Sequence, residues 1–530
     1  MSSSALLARF VQHKNNEKPA IVDGVGAHAY SKVVLDAGRV ALALLEGHER
    51  TGSLQGERVA ILVSPGAAFV AAFFGVLLAG GCVVVLSPLH PAPETRYFCD
   101  DAGVKTVLVS GDLSAFATPL ASAFRVRDVA SILAQIQGVG AYGHTPLPDF
   151  VTTQARAISE DKPALQLYTS GTTGKPKGAV ITHANLAVQQ KLVGSAWGFS
   201  AQDTLLHVLP LHHMHGLCIA LLTALGSGAT VRMMPFDAAR VWEAMDHATV
   251  FMAVPAMYHR LFLAFDAADE HARSHFAQSA SRLRLATSGS AALPVTLAER
   301  WRALTNVIPL ERFGMTEIGV GLSNRLLGDR YPGSVGFPLP TVETRIVDEA
   351  GAKADVGELW IRGPSVFVGY HNKPQATAEA FAPDPAGGPP WFRTGDTVTR
   401  DTAAGNPAPF KILGRTSVDI LKSGGYKLSA LEIEEVLREH ACVLEVAVVG
   451  VPDEAWGDRV VACVVLRCAD SERPACDAQA LRAFAKEKLA SYKVPKDVLF
   501  LQELPKNTLG KVLKPQLAQQ ALKIVFAAKT

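Results

Sequence analysis

Closely spaced cysteines are missing from this sequence. Its seven cysteines, an odd number spread over 530 residues, include no C-x-x-C pair, which argues against a disulfide frame or a structural zinc site and for a reducing compartment. A dominant charge is missing too: 51 basic residues meet 49 acidic ones, a net of +2, so no broad field attracts nucleic acid or an anionic membrane. The expected partner is a small molecule. The opening residues, Met1 to Phe10, are too short and too weakly apolar for a secretory signal, and the final Ala-Lys-Thr530 is no peroxisomal address. The cytoplasm is the expected compartment, with a mitochondrial presequence as the alternative. Oligomeric state leaves no signal.

Charge is absent altogether from Ile61 to Leu89, a run long enough to cross a membrane at ~20 residues per span. Pro65 and Gly80-Gly81 divide it, and what they leave is a buried helix, Ala67 to Leu78, followed by a buried strand, Cys82 to Leu86. Ala20-Ile-Val22 and Arg58 to Val63 read as strands, and Val33 to Leu45 has helical spacing, so the rhythm is α/β. The chain is too long for one ordinary core. With 48% hydrophobic and 19% charged residues it is globular, and 44 glycines and 31 prolines supply the turns.

What the sequence does have is Tyr168-Thr-Ser-Gly-Thr-Thr-Gly-Lys-Pro-Lys-Gly178. Hydroxyls at Thr169, Ser170, Thr172 and Thr173 alternate with Gly171, Gly174 and Gly178, so backbone N–H groups and hydroxyls can close on an anion, and Lys175 and Lys177 add positive charge. Such a loop suits a polyphosphate. A P-loop is excluded, because Pro176 follows Lys175 and no helix start is offered; the apolar Ala179-Val-Ile181 reads as an anchoring strand. The bland reading is a surface turn.

Further segments follow in order. His207, His212, His213 and His215 lack the spacing and the acidic or Cys partners of a metal site, and a histidine in an apolar run is most simply a satisfied core residue. Asp237 reads as the N-cap of a helix from Ala238 to Met245. Arg282 to Leu293 alternates and then ends in small residues, a strand carrying Arg284 into the turn Ser288-Gly-Ser290. After it come Leu310-Glu-Arg-Phe-Gly-Met-Thr-Glu317, Trp391-Phe-Arg-Thr-Gly-Asp396, Gly414-Arg415 with Gly424-Gly425, and Leu504-Pro-Lys-Asn-Thr-Leu-Gly-Lys511. Ser429-x-x-Glu432 has the form of a capping box.

From about residue 20 to 515, these segments in this order resemble the adenylate-forming superfamily of acyl-CoA synthetases, luciferases and peptide-synthetase adenylation domains. The resemblance implies an α/β fold. Residues 1–415 would form a large N-terminal domain of stacked α/β sheets plus a β-rich subdomain, binding AMP and the acyl group. Residues 416–530 would form a small mobile α+β C-terminal domain carrying the catalytic lysine, with its hinge at Ser417 to Asp419.

It further implies residue roles. Thr169 to Lys177 and Ser290 would bind ATP, and Phe313, where the family usually has Tyr, would stack on adenine. Thr316 would contact the α-phosphate and Glu317 would hold Mg²⁺. Asp396 would accept from the ribose hydroxyls, a task for an acceptor-only carboxylate, while Arg415 approaches the nucleotide and Lys511 catalyses adenylation. His213, counted with the catalytic residues, and His215 would border the acyl pocket. Gly424 and Gly425 would border the path of coenzyme A.

The implied activity is that of an ATP-dependent acid–CoA ligase, which makes an acyl-adenylate and then a thioester. Asp237 does not serve an amino-acid substrate, and no carrier segment follows in the nineteen residues after Lys511, so free coenzyme A is the expected thiol. A luciferase-like oxygenase or a non-catalytic nucleotide-binding homologue would keep the same motifs. Within the superfamily, Pro210 to Gly216, Ser288 to Pro294 and Gly414 to Asp419 look most like malonyl-CoA synthetases; the alternative substrate is another short- or medium-chain or aryl acid. A second carboxylate needs a cation when buried. Arg284 is the expected grip, with His213 or His215 assisting.

Overall fold

Arg58–Leu62, Cys82–Val85 and Thr106–Val109 are too short for helices and are apolar on both faces, so they pair in parallel as strands covered from both sides. The computed structural model describes residues 2–48, 50–135, 141–142, 145–169, 175–467, 476–506 and 510–527. In it these strands belong to a seven-stranded sheet ordered Gly369–Tyr370, Lys177–Thr182, Pro163–Thr169, Cys82–Val85, Arg58–Leu62, Thr106–Val109, Arg125–Asp128. The uncharged run divides as the sequence predicts. Helix Ala67–Leu78 is buried from Phe69 onward and packs on helix Tyr30–Leu45, where a Cβ on Gly75 would come within 2.6 Å of Val40. Among the described residues, no helix is long and apolar enough to cross a membrane.

A second sheet has nine strands, in the order Phe337–Pro338, Gly319–Ser323, Leu310–Met315, Leu285–Ser288, Val250–Ala253, Thr204–His207, Thr230–Met233, Pro19–Val22, Ala27–Ala29. One apolar core joins the two sheets, holding Ile61 and Val83 of the first together with Leu205 and Leu310 of the second. The β-rich part is antiparallel: Glu343–Val347, Val356–Arg362, Trp391–Arg400 and Phe381–Ala382, with Phe410–Arg415 on the far side of Trp391–Arg400. Beyond residue 419 a separate sheet of Tyr426–Ser429, Ile420–Ser423, Gly457–Leu466, Val443–Asp453 and Asp497–Phe500 has its own cores. Ile433, Val448 and Leu481 fill one face, and Val449 and Leu517 the other. The chain is thus a large α/β body with a smaller α+β unit after it.

Local signals explain several element ends. Asp237 caps helix Ala238–Ala244 by accepting from the N–H of Arg240 at 3.0 Å. Ser429 likewise accepts from the N–H of Glu432 at 3.1 Å. The reciprocal half of that capping box does not form, because the Glu432 carboxylate grips Lys493 at 2.6 and 2.7 Å. A complete box sits instead at Thr182 and Asn185, opening helix His183–Ala196. The Gly/Thr loop joins the antiparallel strands Pro163–Thr169 and Lys177–Thr182, the hairpin setting that excludes a strand-to-helix P-loop. Residues 170–174 themselves lie outside the described residues.

Asp237→Ala removes a side-chain cap whose loss costs about 1 kcal/mol. The expected outcome is a lower thermal midpoint, read by calorimetry, with the affinity for nucleotide unchanged.

Candidate active site

Thr204–His207, Val250–Ala253, Leu285–Ser288 and Leu310–Met315 are parallel neighbours, so all four finish at one edge of the nine-stranded sheet. The connections leaving that edge carry His212, His213 and His215, then Gly289 and Ser290, then Thr316 and Glu317. Ligands of open α/β sheets bind at this carboxyl edge.

On the nucleotide side, strand Lys177–Thr182 is flanked by Gly369–Tyr370, which places Lys177 Nζ 4.6 Å from the Tyr370 ring. The Tyr370 hydroxyl donates to Glu317 Oε1 at 2.8 Å. Burial, and then the Glu317 carboxylate, push the phenol's pKa far up, so it remains a donor. Glu317 is buried and its carbonyl accepts from the N–H of Phe367 at 2.7 Å. Lys175 Nζ lies 5.3 Å from the Tyr97 ring, whose hydroxyl donates to the Pro176 carbonyl at 2.9 Å. Thr169 Oγ1 donates to the Lys177 carbonyl at 3.4 Å. Phe313 and Thr316 are half-buried beside this group. Ser170, Gly171, Thr172, Thr173 and Gly174 fall outside the described residues.

Asp396 and Arg415 face each other across paired strands, with Arg415 Nε 3.3 Å from Asp396 Oδ1 and Nη1 donating to the Thr394 carbonyl at 2.5 Å. Burial pushes the Asp396 carboxyl up to about 6, against the pull of Arg415 and Lys511. Lys511 is therefore within electrostatic reach of Asp396. Its neighbour Gly510 has φ +76°, and a Cβ there would sit 3.5 Å from Ala256, so the C-terminal loop meets the large body at this point. Gly424 and Gly425 form the two-residue turn between Ile420–Ser423 and Tyr426–Ser429, and Gly424 N–H donates to the Trp456 carbonyl at 2.8 Å.

The turns expected to border the acyl group hold buried polar atoms without partners among the described residues. His207 is the satisfied exception, its Nε2 lying 2.8 Å from the Gly216 carbonyl. His212, His213 and His215 each bury an Nε2 that has no hydrogen-bond partner among the described residues. Burial holds His213 down to about 4, and burial followed by the Arg312 charge holds His215 well below its ordinary value, so both rings are neutral near pH 7. Ser290 Oγ is 3.3 Å from His215 Nδ1. Beneath the turn lies Arg312, 4% exposed, with Nε and Nη2 unpartnered among the described residues. A Cβ on Gly289 would stand 2.4 Å from Arg312 Nε, so only glycine allows the backbone to cover the guanidinium. Burial lowers Arg312 to about 10, which leaves it charged at neutral pH.

Arg284 is placed elsewhere, and the expectation that it grips a substrate carboxylate is corrected. It precedes strand Leu285–Ser288, at the opposite edge of the sheet. Its Nε and Nη2 both reach Asp203 at 2.6 Å, and Nη1 donates to the Trp197 carbonyl at 2.9 Å. Burial pushes the Asp203 carboxyl up, but Arg284, Thr249 and the Ser200 N–H together hold it below its ordinary value. The sequence reading missed Arg312 although it lies inside Leu310–Met315. The available signal was a charged residue at an interior strand position, next to a motif that meets the ligand.

Arg284→Leu leaves a buried carboxylate without its cation, which costs about 1–3 kcal/mol. The expected outcome is a lower thermal midpoint, partly restored by adding Asp203→Asn, with nucleotide affinity unaffected in either protein.

Residues 7–371 match the AMP-binding enzyme family model and residues 432–511 match the AMP-binding enzyme C-terminal domain. The chain is 40% identical to the mitochondrial malonate–CoA ligase ACSF3 of Mus musculus over an alignment of 540 residues, covering 95% of this chain and 88% of that protein. It is 37% identical to the malonate–CoA ligase of Arabidopsis thaliana, covering 89% and 79% respectively. The crystal structure of ATP-bound MatB from Rhodopseudomonas palustris superimposes with a TM-score of 0.82 at 32% identity, over 98% of this chain and 99% of that one. The nucleotide-side cluster around Glu317 and Asp396 therefore stands in a fold shared end to end with an ATP-bound protein, and the chain belongs to the AMP-binding enzyme family.

Proposed function

We propose that this protein is an ATP-dependent, AMP-forming malonate–CoA ligase. The observation that carries the substrate assignment is Arg312, a buried guanidinium with two unpartnered nitrogens at the ligand edge of the sheet. A dicarboxylate offers one carboxylate for activation and a second to pair with this cation. A monocarboxylate leaves the charge unpaired, a state that costs free energy in a dry pocket. The names of the mouse and Arabidopsis relatives support the same acid.

In the proposed chemistry a malonate oxygen attacks the α-phosphorus of ATP and pyrophosphate leaves. Residues 169–177 and Thr316 hold the phosphates, Phe313 stacks on adenine, and Asp396 accepts from the ribose. Lys511 faces the charge that develops on oxygen. Glu317, held by a single Tyr370 hydroxyl, keeps acceptor capacity for a hard cation such as Mg²⁺, which takes a carboxylate together with phosphate oxygens. When bound, that ion would neutralise phosphate charge. Neutral His213 and His215 add polar contacts without competing for the anion that Arg312 binds.

Coenzyme A then attacks the acyl-adenylate and AMP departs. We take residues 1–415 as the nucleotide- and acid-binding domain and 416–530 as a domain that turns about residues 417–419, withdrawing Lys511 and bringing Gly424 and Gly425 to the thiol path. The cytoplasm is the compartment we propose, with the mitochondrion as the alternative that the name of the mouse relative supports. Both are reducing, which suits the six free cysteines among the described residues.

The test is Arg312→Leu assayed on malonate and on butyrate. Malonate kcat/KM is expected to fall ~10²-fold or more while butyrate use is retained or improved. Retained butyrate turnover shows that the variant folds. Equal loss on both acids in a protein with an unchanged melting point would sink the assignment, as would a wild-type preference for long-chain or aromatic acids.

Asp396 adds a pH dependence. Because burial lifts its carboxyl to about 6, it gains a proton at a higher pH than an ordinary aspartate, and the protonated form is a poorer acceptor for the ribose hydroxyls. The KM for ATP should therefore rise as pH falls through about 6. That component should be missing from Asp396→Asn, which binds ATP weakly throughout; an identical pH profile in the two proteins would remove Asp396 from ribose binding.

A further inference from the structure

Away from the nucleotide, the smaller α+β unit gathers three soft donors that are far apart in sequence. His440 and Cys442 lie in the turn between helix Ala430–Arg438 and strand Val443–Asp453, and Cys476 immediately precedes Asp477, the N-cap of helix Ala478–Lys488. Each position is fixed by structure that does not depend on the others. The Val443 N–H donates to the His440 carbonyl at 2.9 Å, the His440 ring packs edge-on against Phe484 at 5.0 Å, and Asp477 accepts from the Ala480 N–H at 2.8 Å.

The result is that His440 Nδ1, Cys442 Sγ and Cys476 Sγ all lie within 4.8 Å of one another, with Nδ1 4.0 Å from Cys476 Sγ. The Cys442 N–H donates to His440 Nδ1 at 3.4 Å, which makes Nδ1 the unprotonated nitrogen; binding an ion would exchange this long contact for a bond from the same lone pair. Among the described residues this is the one group of three or more His, Cys, Asp or Glu side chains close enough to share an ion.

We propose that His440, Cys442 and Cys476 form a zinc site that staples the turn after the first helix of this unit to the start of the second. Two sulfurs and an imidazole nitrogen are a borderline-soft set, which suits Zn²⁺ and is ill suited to Mg²⁺ or Ca²⁺. Zn–S bonds near 2.3 Å and Zn–N bonds near 2.0 Å, in a tetrahedron, put the donors about 3.4–3.8 Å apart. Donors that already lie within 4.8 Å of one another need close by no more than roughly 1 Å, within reach of small side-chain rotations. All three residues are half-buried, so water can complete the fourth position. On binding, both thiols release their protons to solvent and ligate as thiolates. The ion adds its binding free energy to the folding of this unit, independently of the ligase chemistry.

The experiment uses the full-length chain, reduced with a phosphine and stripped of metal by a chelator. Titration with Co²⁺ should produce thiolate-to-cobalt charge transfer and tetrahedral ligand-field absorption that saturate at one equivalent per chain and are displaced by Zn²⁺. Both signals should disappear in Cys442→Ser and in Cys476→Ser, and His440→Gln should weaken the binding. Zn²⁺ should raise the melting temperature of the wild type but not of the two serine variants. Those variants should keep acid-dependent ATP/pyrophosphate exchange, which shows that they fold. The proposal is overturned by an absence of thiolate charge transfer, by signals that persist in both serine variants, or by a Cys442–Cys476 disulfide in protein prepared with zinc and reductant.

Discussion

Parallel pairing of Thr204–His207, Val250–Ala253, Leu285–Ser288 and Leu310–Met315 is the constraint on which the site depends. Parallel strands need long crossovers, and these cover both faces of the sheet, so polar groups can collect only at the strand ends. Which end a residue occupies then decides what it can do. Arg284 stands where its strand begins, beside Asp203 and Thr249, which also precede their strands, and the four residues from it to Ser288 span roughly 13 Å. Arg312 belongs to the adjacent strand, directly beneath Gly289, where the chain leaves the sheet at the ligand edge.

Burial sorts the charges in this pocket. It keeps His213 and His215 neutral, while the Arg312 guanidinium, lowered only to about 10, stays positive. The adjacent Glu311 gives no compensation: strand alternation sends it to the other face, where its carboxylate accepts from the Gly333 N–H, and burial lifts it to about 8. On the proposed assignment, a cation without a counter-ion among the described residues would select by exclusion as much as by attraction, since an acid lacking a second carboxylate would bury that charge uncompensated. A Cβ at position 289 would break the arrangement as surely as loss of the arginine.

Much of the fold was legible because its signals are local. The uncharged run from residue 61 to 89 divided at Pro65 and Gly80-Gly81 into the helix and strand that the structure contains, and Asp237 announced its own helix. Ser429 did so only in part, because Lys493, 61 residues away, claims the Glu432 carboxylate. Of the positions expected to bind nucleotide, Lys177 and Glu317 both contact Tyr370, and Arg415 and Lys511 both act on Asp396. The cation proposed for the acid was not legible. Arg284 and Arg312 both sit on strands beside quoted turns, and only the register and the Asp203 contact separate a structural arginine from an open one. The absence of C-x-x-C pointed away from a metal site, yet the cluster at Cys442 and Cys476 is assembled by packing between two helices and a strand, which spacing in the chain cannot report.

The two halves of the proposed reaction meet in a line of charges that crosses the presumed pivot. Asp396 pairs with Arg415; the Arg415 N–H donates to Asp419 at 3.0 Å; and Asp419, with Glu434, holds the buried ammonium of Lys514. Although burial alone would lower it, the two carboxylates raise the Lys514 pKa, so the ion network is intact at neutral pH. Lys514 is three residues beyond Lys511, so the group facing the nucleotide and the group anchoring the last helix share one segment. Under a rotation about residues 417–419, Arg415 would stay with Asp396 while Asp419, Glu434 and Lys514 move together. In this line, the contacts that span the proposed pivot are the hydrogen bonds between Arg415 and Asp419: the Arg415 N–H donates to the Asp419 carboxylate at 3.0 Å and the Asp419 N–H donates to the Arg415 carbonyl at 2.8 Å. A hydrogen bond contributes only about 1 kcal/mol net, so under the proposed rotation these links would let the smaller unit turn without dismantling the charged network that fixes its last helix, and Lys511 would leave the nucleotide while its own segment stays anchored.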